Sequence, residues 1–211
     1  MRSPWVWDLR SSRSLAAALG FALAAAGSAP AAAKVFYSQE EALELAFPGA
    51  DRVEKRTELL DDARAAQVEA KARAALPSRL VKLYTAWKGG QVDGYALIDL
   101  HTVRTHPEAL LVVSAPDGRV RSLRVLAFYE PEEYRTPQRW LDQLDGRPLD
   151  DRLRLGGDVH GIAGATLSSR AVTDAVRRSL ALFEVLAVAA PVPAPAASDA
   201  PAVPPSPAPE P

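Results

Sequence analysis

Residues 155–170 read Leu-Gly-Gly-Asp-Val-His-Gly-Ile-Ala-Gly-Ala-Thr-Leu-Ser-Ser-Arg and run straight into a strong helical pattern, Ala-Val-Thr-Asp-Ala-Val-Arg-Arg-Ser-Leu-Ala-Leu-Phe-Glu-Val-Leu. A loop this poor in side chains, ending on a threonine, two serines and a helix N-terminus, constrains the fold most. The first N–H groups of a helix have no intrahelical acceptor and sit at the positive end of the helix dipole, so an anion is favoured there. The ligand class implied is a phosphorylated small molecule. On the helix, Val172, Val176, Leu180 and Phe183 recur every three to four residues, with Leu186 or Ala187 next. That apolar stripe must pack on a sheet. Arg170, Asp174, Arg177 and Arg178 fall off it.

The segments upstream supply the sheet. Ser38 followed by Gln39-Glu40-Glu41 is a capping box for a helix that reaches Phe47 and stops at Pro48-Gly49. Residues 59–75, rich in alanine and in i,i+4 charge pairs, predict a second helix closed by Pro77. Arg79–Trp87 alternates as a strand through Leu80, Lys82 and Tyr84, and Lys88-Gly89-Gly90 turns it. Tyr95–Leu100 and Leu110–Val113 are apolar runs, and Pro116-Asp117-Gly118 is a hairpin turn into Val120–Phe128. A short helix follows over Pro137–Leu144. The pattern predicts an α+β domain: an antiparallel sheet of four or more strands, helices on one face, and a long C-terminal helix.

Both ends read differently. Arg2, Arg10 and Arg13, an apolar run from Leu15 to about Ala26 and the small residues ending at Ala33 make a signal peptide. Cleavage is expected after Ala33, with Ala29 as the other site; an uncleaved anchor is the alternative. The chain is therefore expected to be exported. Residues 191–211 hold nine of the eighteen prolines and read as a disordered Pro/Ala-rich tail. Residues 34–190 remain as one domain.

Composition removes several functions. Taking away the leader's three arginines and one aspartate moves the formal net charge from −1 to −3, which is no nucleic-acid footprint. Cysteine is absent and Met1 is the only methionine, so disulfides, thioether-linked haem and thiolate-held iron–sulfur clusters are excluded. If the protein handles electrons, an organic cofactor must carry them. His101, His106 and His160 have no metal-site spacing. The polar stretch Asp99–Arg104 either bonds a cofactor ring or lines a solvated turn. Glu130-Pro131-Glu132-Glu133-Tyr134 reads as an acidic surface turn, or as a docking point for a redox partner.

Gly164-Ala165-Thr166-Leu167-Ser168-Ser169-Arg170-Ala171-Val172 resembles the flavinylation motif of periplasmic FMN-binding domains. Such domains occur in the C subunit of the sodium-translocating NADH:quinone reductase, in the G subunit of Rnf-type electron-transport complexes, and as stand-alone periplasmic proteins. The resemblance covers roughly residues 80–187, with the Gly94-Tyr95 strand, the Asp117-Gly118 hairpin and the Val125–Phe128 strand in the family's order.

The family pattern, Ser/Thr-Gly-Ala-Thr-x-Thr/Ser-x-x-Val, implies FMN as cofactor, attached by a phosphoester through a hydroxyl. An exported flavin transferase makes the bond. The esterified residue maps to Thr166, with Ser168 and Ser169 as the alternatives. Gly164 and Ala165 would let the phosphate approach the backbone. Arg170 either pairs with the phosphodiester or is simply solvated. Two positions depart from the pattern: Ala163 stands where it has Ser/Thr, and His160 where it favours an acid, with Asp158 two residues earlier. Tyr95, Phe128, Tyr129 and Trp140 are either core residues or walls for the flavin ring. The implied function is electron transfer between membrane or periplasmic redox partners. A small flavin-dependent reductase, and a binding or scaffold domain without flavin, are the alternatives.

Overall fold

Ser38 takes extended backbone angles and its hydroxyl accepts the Glu41 N–H at 3.2 Å, while the Glu41 carboxylate accepts the Ser38 N–H at 2.8 Å. This closed capping box starts α1 (Gln39–Ala46) where the sequence predicts it. The structure, a computed structural model, describes residues 34–187. The leader up to Ala33 and the tail from Pro191 lie outside the described residues, as does the end of the proposed domain, residues 188–190.

A six-stranded antiparallel sheet forms the centre, in the order β1-β6-β5-β4-β3-β2. Its strands are β1 (Lys34–Val35), β2 (Arg52–Leu59), β3 (Leu80–Lys88), β4 (Gln91–Thr102), β5 (Pro107–Ser114) and β6 (Val120–Phe128). Strands β3 to β6 are the meander read from the sequence. Successive side chains of a strand point to opposite faces, and here both faces are apolar. Leu83, Leu97, Leu110, Val112, Leu123 and Val125 face one way. Tyr84, Ala96, Leu111 and Val113 face the other. The first set is covered by α4 (Thr166–Ala187), with Val172, Val176, Leu180, Phe183 and Leu186 buried as the stripe predicts, and by Val68 and Ala72 of α2 (Asp62–Ala72). Trp140 and Leu141 of α3 (Gln138–Leu141) complete that core. The long helices thus share one face, and α1 alone covers the other through Ala42 and Ala46.

Helix α2 is shorter than its sequence pattern. Asp61 accepts the Arg64 N–H at 2.7 Å and caps the start, and Arg73 in the left-handed region ends the helix (φ +53°). Its last carbonyls are taken up by a buried arginine: Arg177 on α4 donates to Ala72 O at 2.6 Å and Lys71 O at 3.3 Å. The same guanidinium donates to Asp150 O at 2.7 Å and Leu153 O at 2.9 Å. One side chain therefore ties α2, α4 and the start of the glycine-rich loop together.

Gly94 on β4 faces a backbone carbonyl across the sheet. A Cβ there would sit 2.6 Å from Ser114 O and 3.2 Å from the Phe47 ring. A carbonyl inside a ladder cannot step aside, so Gly94→Ala is expected to cost about 2 kcal/mol through overpacking. Urea unfolding followed by circular dichroism measures it, and a loss below about 0.5 kcal/mol would contradict this packing.

Candidate functional site

Helix α4 opens at Thr166. Its entry turn is fixed by Ser169. The Ser169 hydroxyl accepts the Ile162 N–H at 3.1 Å and donates to Ala165 O at 3.0 Å, and the Ser169 N–H reaches that same carbonyl at 3.0 Å. The Ala165 N–H closes the turn onto Ile162 O at 3.0 Å. Gly164 enters the turn at φ +80°, a conformation that only glycine adopts cheaply, and space around it is open.

The residue before the helix is alanine, so no side-chain oxygen caps the first turn. The N–H groups of Thr166, Leu167 and Ser168 meet no acceptor among the described residues. Ser168 is wholly buried and its hydroxyl also lacks a partner. A buried hydroxyl left unpaired costs free energy of about 1–3 kcal/mol, a state Ser168 shares with Thr136 and Ser179.

Beside this turn lies a recess of about 320 Å³ lined by Arg104, Tyr134 and the run Gly164–Ser168. Thr166 is exposed on it, its hydroxyl engaged in no hydrogen bond among the described residues. Leu167, 53% exposed, adds an apolar edge. Arg104 and Tyr134 come from distant segments: the sequence offers Asp99–Arg104 as a cofactor-ring contact or solvated turn and Glu130–Tyr134 as a surface turn or docking point, and places neither residue beside Thr166. Arg104 lies in the β4–β5 turn, and its guanidinium sits 4.2 Å from the centroid of the Tyr134 ring.

Glu130 holds that turn. One carboxylate oxygen accepts the N–H groups of Arg104, Thr105 and His106 at 3.2, 2.6 and 2.8 Å. Burial would raise the Glu130 pKa, but these backbone donors, with the Thr105 and His106 side chains, pull it down to about 2. Of the acidic surface turn expected over Glu130–Tyr134, Glu132 and Glu133 are exposed, but Glu130 is corrected: it is buried and organises the backbone beside the recess.

The other expected residues divide clearly. Gly164, Ala165, Thr166 and Ser168 line the recess together. Ser169 is buried and spends its hydroxyl on the turn, and Arg170 is exposed outside the recess. Tyr95 stacks on Phe183 with ring centroids 6.1 Å apart, and Phe128 and Trp140 lie in the core. Tyr129 packs on the opposite face of the sheet. Asp158 is held by Arg147 at 2.6 Å and Arg152 at 2.9 Å, and His160 O accepts the Trp140 indole N–H at 2.6 Å.

His101 is no solvated residue. It is buried between Asp99 (2.9 Å) and Glu108 (3.1 Å), and Arg178 of α4 grips the same Asp99 through two hydrogen bonds at 2.9 and 3.1 Å. The stretch Asp99–Arg104 therefore does two things at the C-terminal end of β4: a buried ion network within the strand, and Arg104 in the turn that follows.

At this recess of the antiparallel α+β domain, a helix N-terminus with three N–H groups unpaired among the described residues lies beside an arginine on an aromatic ring, an arrangement suited to an anion. Residues 107–181 match the family model described as the FMN-binding domain, the family that the Thr166 motif resembles. That stretch, β5 through most of α4, is an FMN-binding domain, and FMN is its cofactor. No curated protein matches the chain. The unpaired N–H groups of Thr166, Leu167 and Ser168 and the Arg104 guanidinium fit a flavin phosphate, which would bring them oxygen acceptors and negative charge.

Proposed function

We propose that the protein is an exported flavoprotein that carries FMN as a phosphoester on Thr166 Oγ1 and passes electrons between membrane or periplasmic partners. The observation that carries this reading is the contrast among three neighbouring hydroxyls. Thr166 is exposed and unengaged, Ser168 is buried, and Ser169 is buried with both its bonds made. Only the first is open to an exported flavin transferase. When bound, the flavin supplies the redox chemistry. The protein's part is to hold the phosphate by the N–H groups of Thr166, Leu167 and Ser168, and to keep it close through the bare backbone at Gly164.

A covalent tether suits the compartment, because a dissociable cofactor is lost by mass action where free FMN is dilute. The lining favours a carrier over a small reductase: no carboxylate or imidazole lines the recess, and a reductase needs acid–base groups beside the flavin.

The test is coexpression with the transferase, denaturation, and flavin fluorescence in the gel band. The wild-type band is expected to fluoresce, Thr166→Ala to be dark, and Ser168→Ala to stay bright. A dark wild-type band would replace this reading with a binding or scaffold domain that lacks covalent flavin.

A further inference from the structure

Two arginines stand near the start of α4, and only one is built into the recess. Arg170 points along the exposed side of the helix, one turn before Asp174, whose charge it senses. Arg104 lines the recess beside Thr166. Its guanidinium carbon sits over the Tyr134 ring, 4.2 Å from the centroid, and its side-chain N–H groups make no hydrogen bond among the described residues. No carboxylate meets them: Arg104 forms no ion pair among the described residues, although its own N–H donates to Glu130. Glu130, by gathering three successive N–H groups, spends one carboxylate oxygen on the backbone and fixes where Arg104 stands. The recess is thus lined by one guanidinium, the Tyr134 and Thr166 hydroxyls and the helix turn whose Thr166, Leu167 and Ser168 N–H groups are unpaired among the described residues, and by no carboxylate.

We infer that Arg104, fixed by Glu130 and stacked on Tyr134, is the cation that receives the phosphate of the ligand at the α4 N-terminus, in place of the Arg170 that the motif suggests. The inference rests on the FMN reading for the identity of the phosphate, but not on its covalent attachment. Arg104 is a binding residue: its planar fork meets two phosphate oxygens, while the helix N–H groups take the others. Tyr134 keeps the guanidinium from rotating away, so the fork is ordered before the ligand arrives and less side-chain entropy is lost on binding.

The experiment uses the full chain produced without a flavin transferase, so Thr166 is unmodified. It is titrated with free FMN and separately with riboflavin, which has the ring and no phosphate, reading the quenching of flavin fluorescence. Arg104→Gln is expected to weaken FMN binding at least tenfold and leave riboflavin binding unchanged. Arg170→Gln is expected to shift FMN binding less than twofold. Tyr134→Ala, which keeps the charge but removes the platform, is expected to fall between them. Equal FMN binding by wild type and Arg104→Gln overturns the assignment, as does an equal loss for FMN and riboflavin, which marks a structural role only. A wild type that binds no free FMN overturns it as well. If FMN binding depends on Arg104 while coexpression yields no covalent flavin, the inference stands and the phosphoester at Thr166 falls.

Discussion

Arg178→Met is expected to lower the unfolding free energy by about 3–5 kcal/mol, a large share of the roughly 5–15 kcal/mol that holds a domain together. The reason is the company the guanidinium keeps. Arg178, Asp99, His101 and Glu108 are each no more than 9% exposed, and they form one chain across α4, β4 and β5. Arg178 grips Asp99 through both carboxylate oxygens, and His101 links Asp99 to Glu108. Even intact the network is tight, since one Glu108 oxygen finds no partner. Methionine fills the volume but leaves two buried carboxylates sharing one imidazole. Adding Asp99→Asn to Arg178→Met removes the stranded charge and is expected to restore part of the loss. Urea unfolding of the single and double variants measures both. A loss below about 1 kcal/mol for Arg178→Met would mean the pair is solvated and the network is not a structural element. The consequence reaches the site, because Arg178 fixes the axial position of α4, three turns from Thr166.

The same network gives the protein a stability window in pH. Burial alone would lower the His101 pKa, but Asp99 and Glu108 on either side raise it from 6.5 to about 9. A folded pKa above the unfolded one means stabilisation that is complete below pH 6.5 and is lost as pH climbs through about 9. The shift bounds this contribution at about 3 kcal/mol. On the acid side Asp99 works in the opposite sense. Burial opposes its charge, yet His101 and Arg178 hold its pKa below the ordinary 3.8, so its contribution is present above 3.8 and fades as pH falls below it. Thermal unfolding is therefore expected to show a decline in stability between pH 6.5 and 9 that is absent in His101→Gln. A wild-type curve that is flat across that interval would show that His101 is buried neutral.

Much of the fold was readable because it rests on periodic apolar residues and local capping. The α4 stripe and the Ser38 capping box need only their own neighbours, and the hairpin turns carry Gly118 and Gly90 at positive φ. Strand β2 was not readable. Its sequence, Arg-Val-Glu-Lys-Arg-Thr-Glu-Leu, buries no apolar side chain, and its inward face is Arg52, Glu54, Arg56 and Glu58. It is held by its ladder to β3, by pairs such as Arg52–Glu54 at 3.1 Å, and by Glu54 accepting the Trp87 indole N–H at 3.1 Å. A strand without an apolar period has no signal for a period-based reading to find. The burial of Arg177 and Arg178 has no signal in the stripe either: both fall off it, but α4 is flanked by α2 and the 150–153 loop as well as by the sheet, so both are buried on backbone carbonyls or a carboxylate.

The site divides in the same way. The Gly164–Ser169 run was legible because its chemistry is contiguous: bare backbone, hydroxyls, helix start. Arg104 and Tyr134 sit sixty-two and thirty-two residues before Thr166 in the chain and meet it only through the β4–β5 turn and the segment after β6. No local pattern announces them, and Glu130, which brings Arg104 into place, looked from the sequence like one more surface acid.

One hydroxyl at the mouth of α4 is proposed to bear the flavin. Mass spectrometry of proteolytic peptides from protein coexpressed with a flavin transferase, with fragmentation to the residue, locates it. The expected peptide is heavier by one FMN less one water, with the added mass on Thr166. The same mass on Ser168 or Ser169 would contradict the site, and an unmodified peptide throughout would contradict covalent attachment itself.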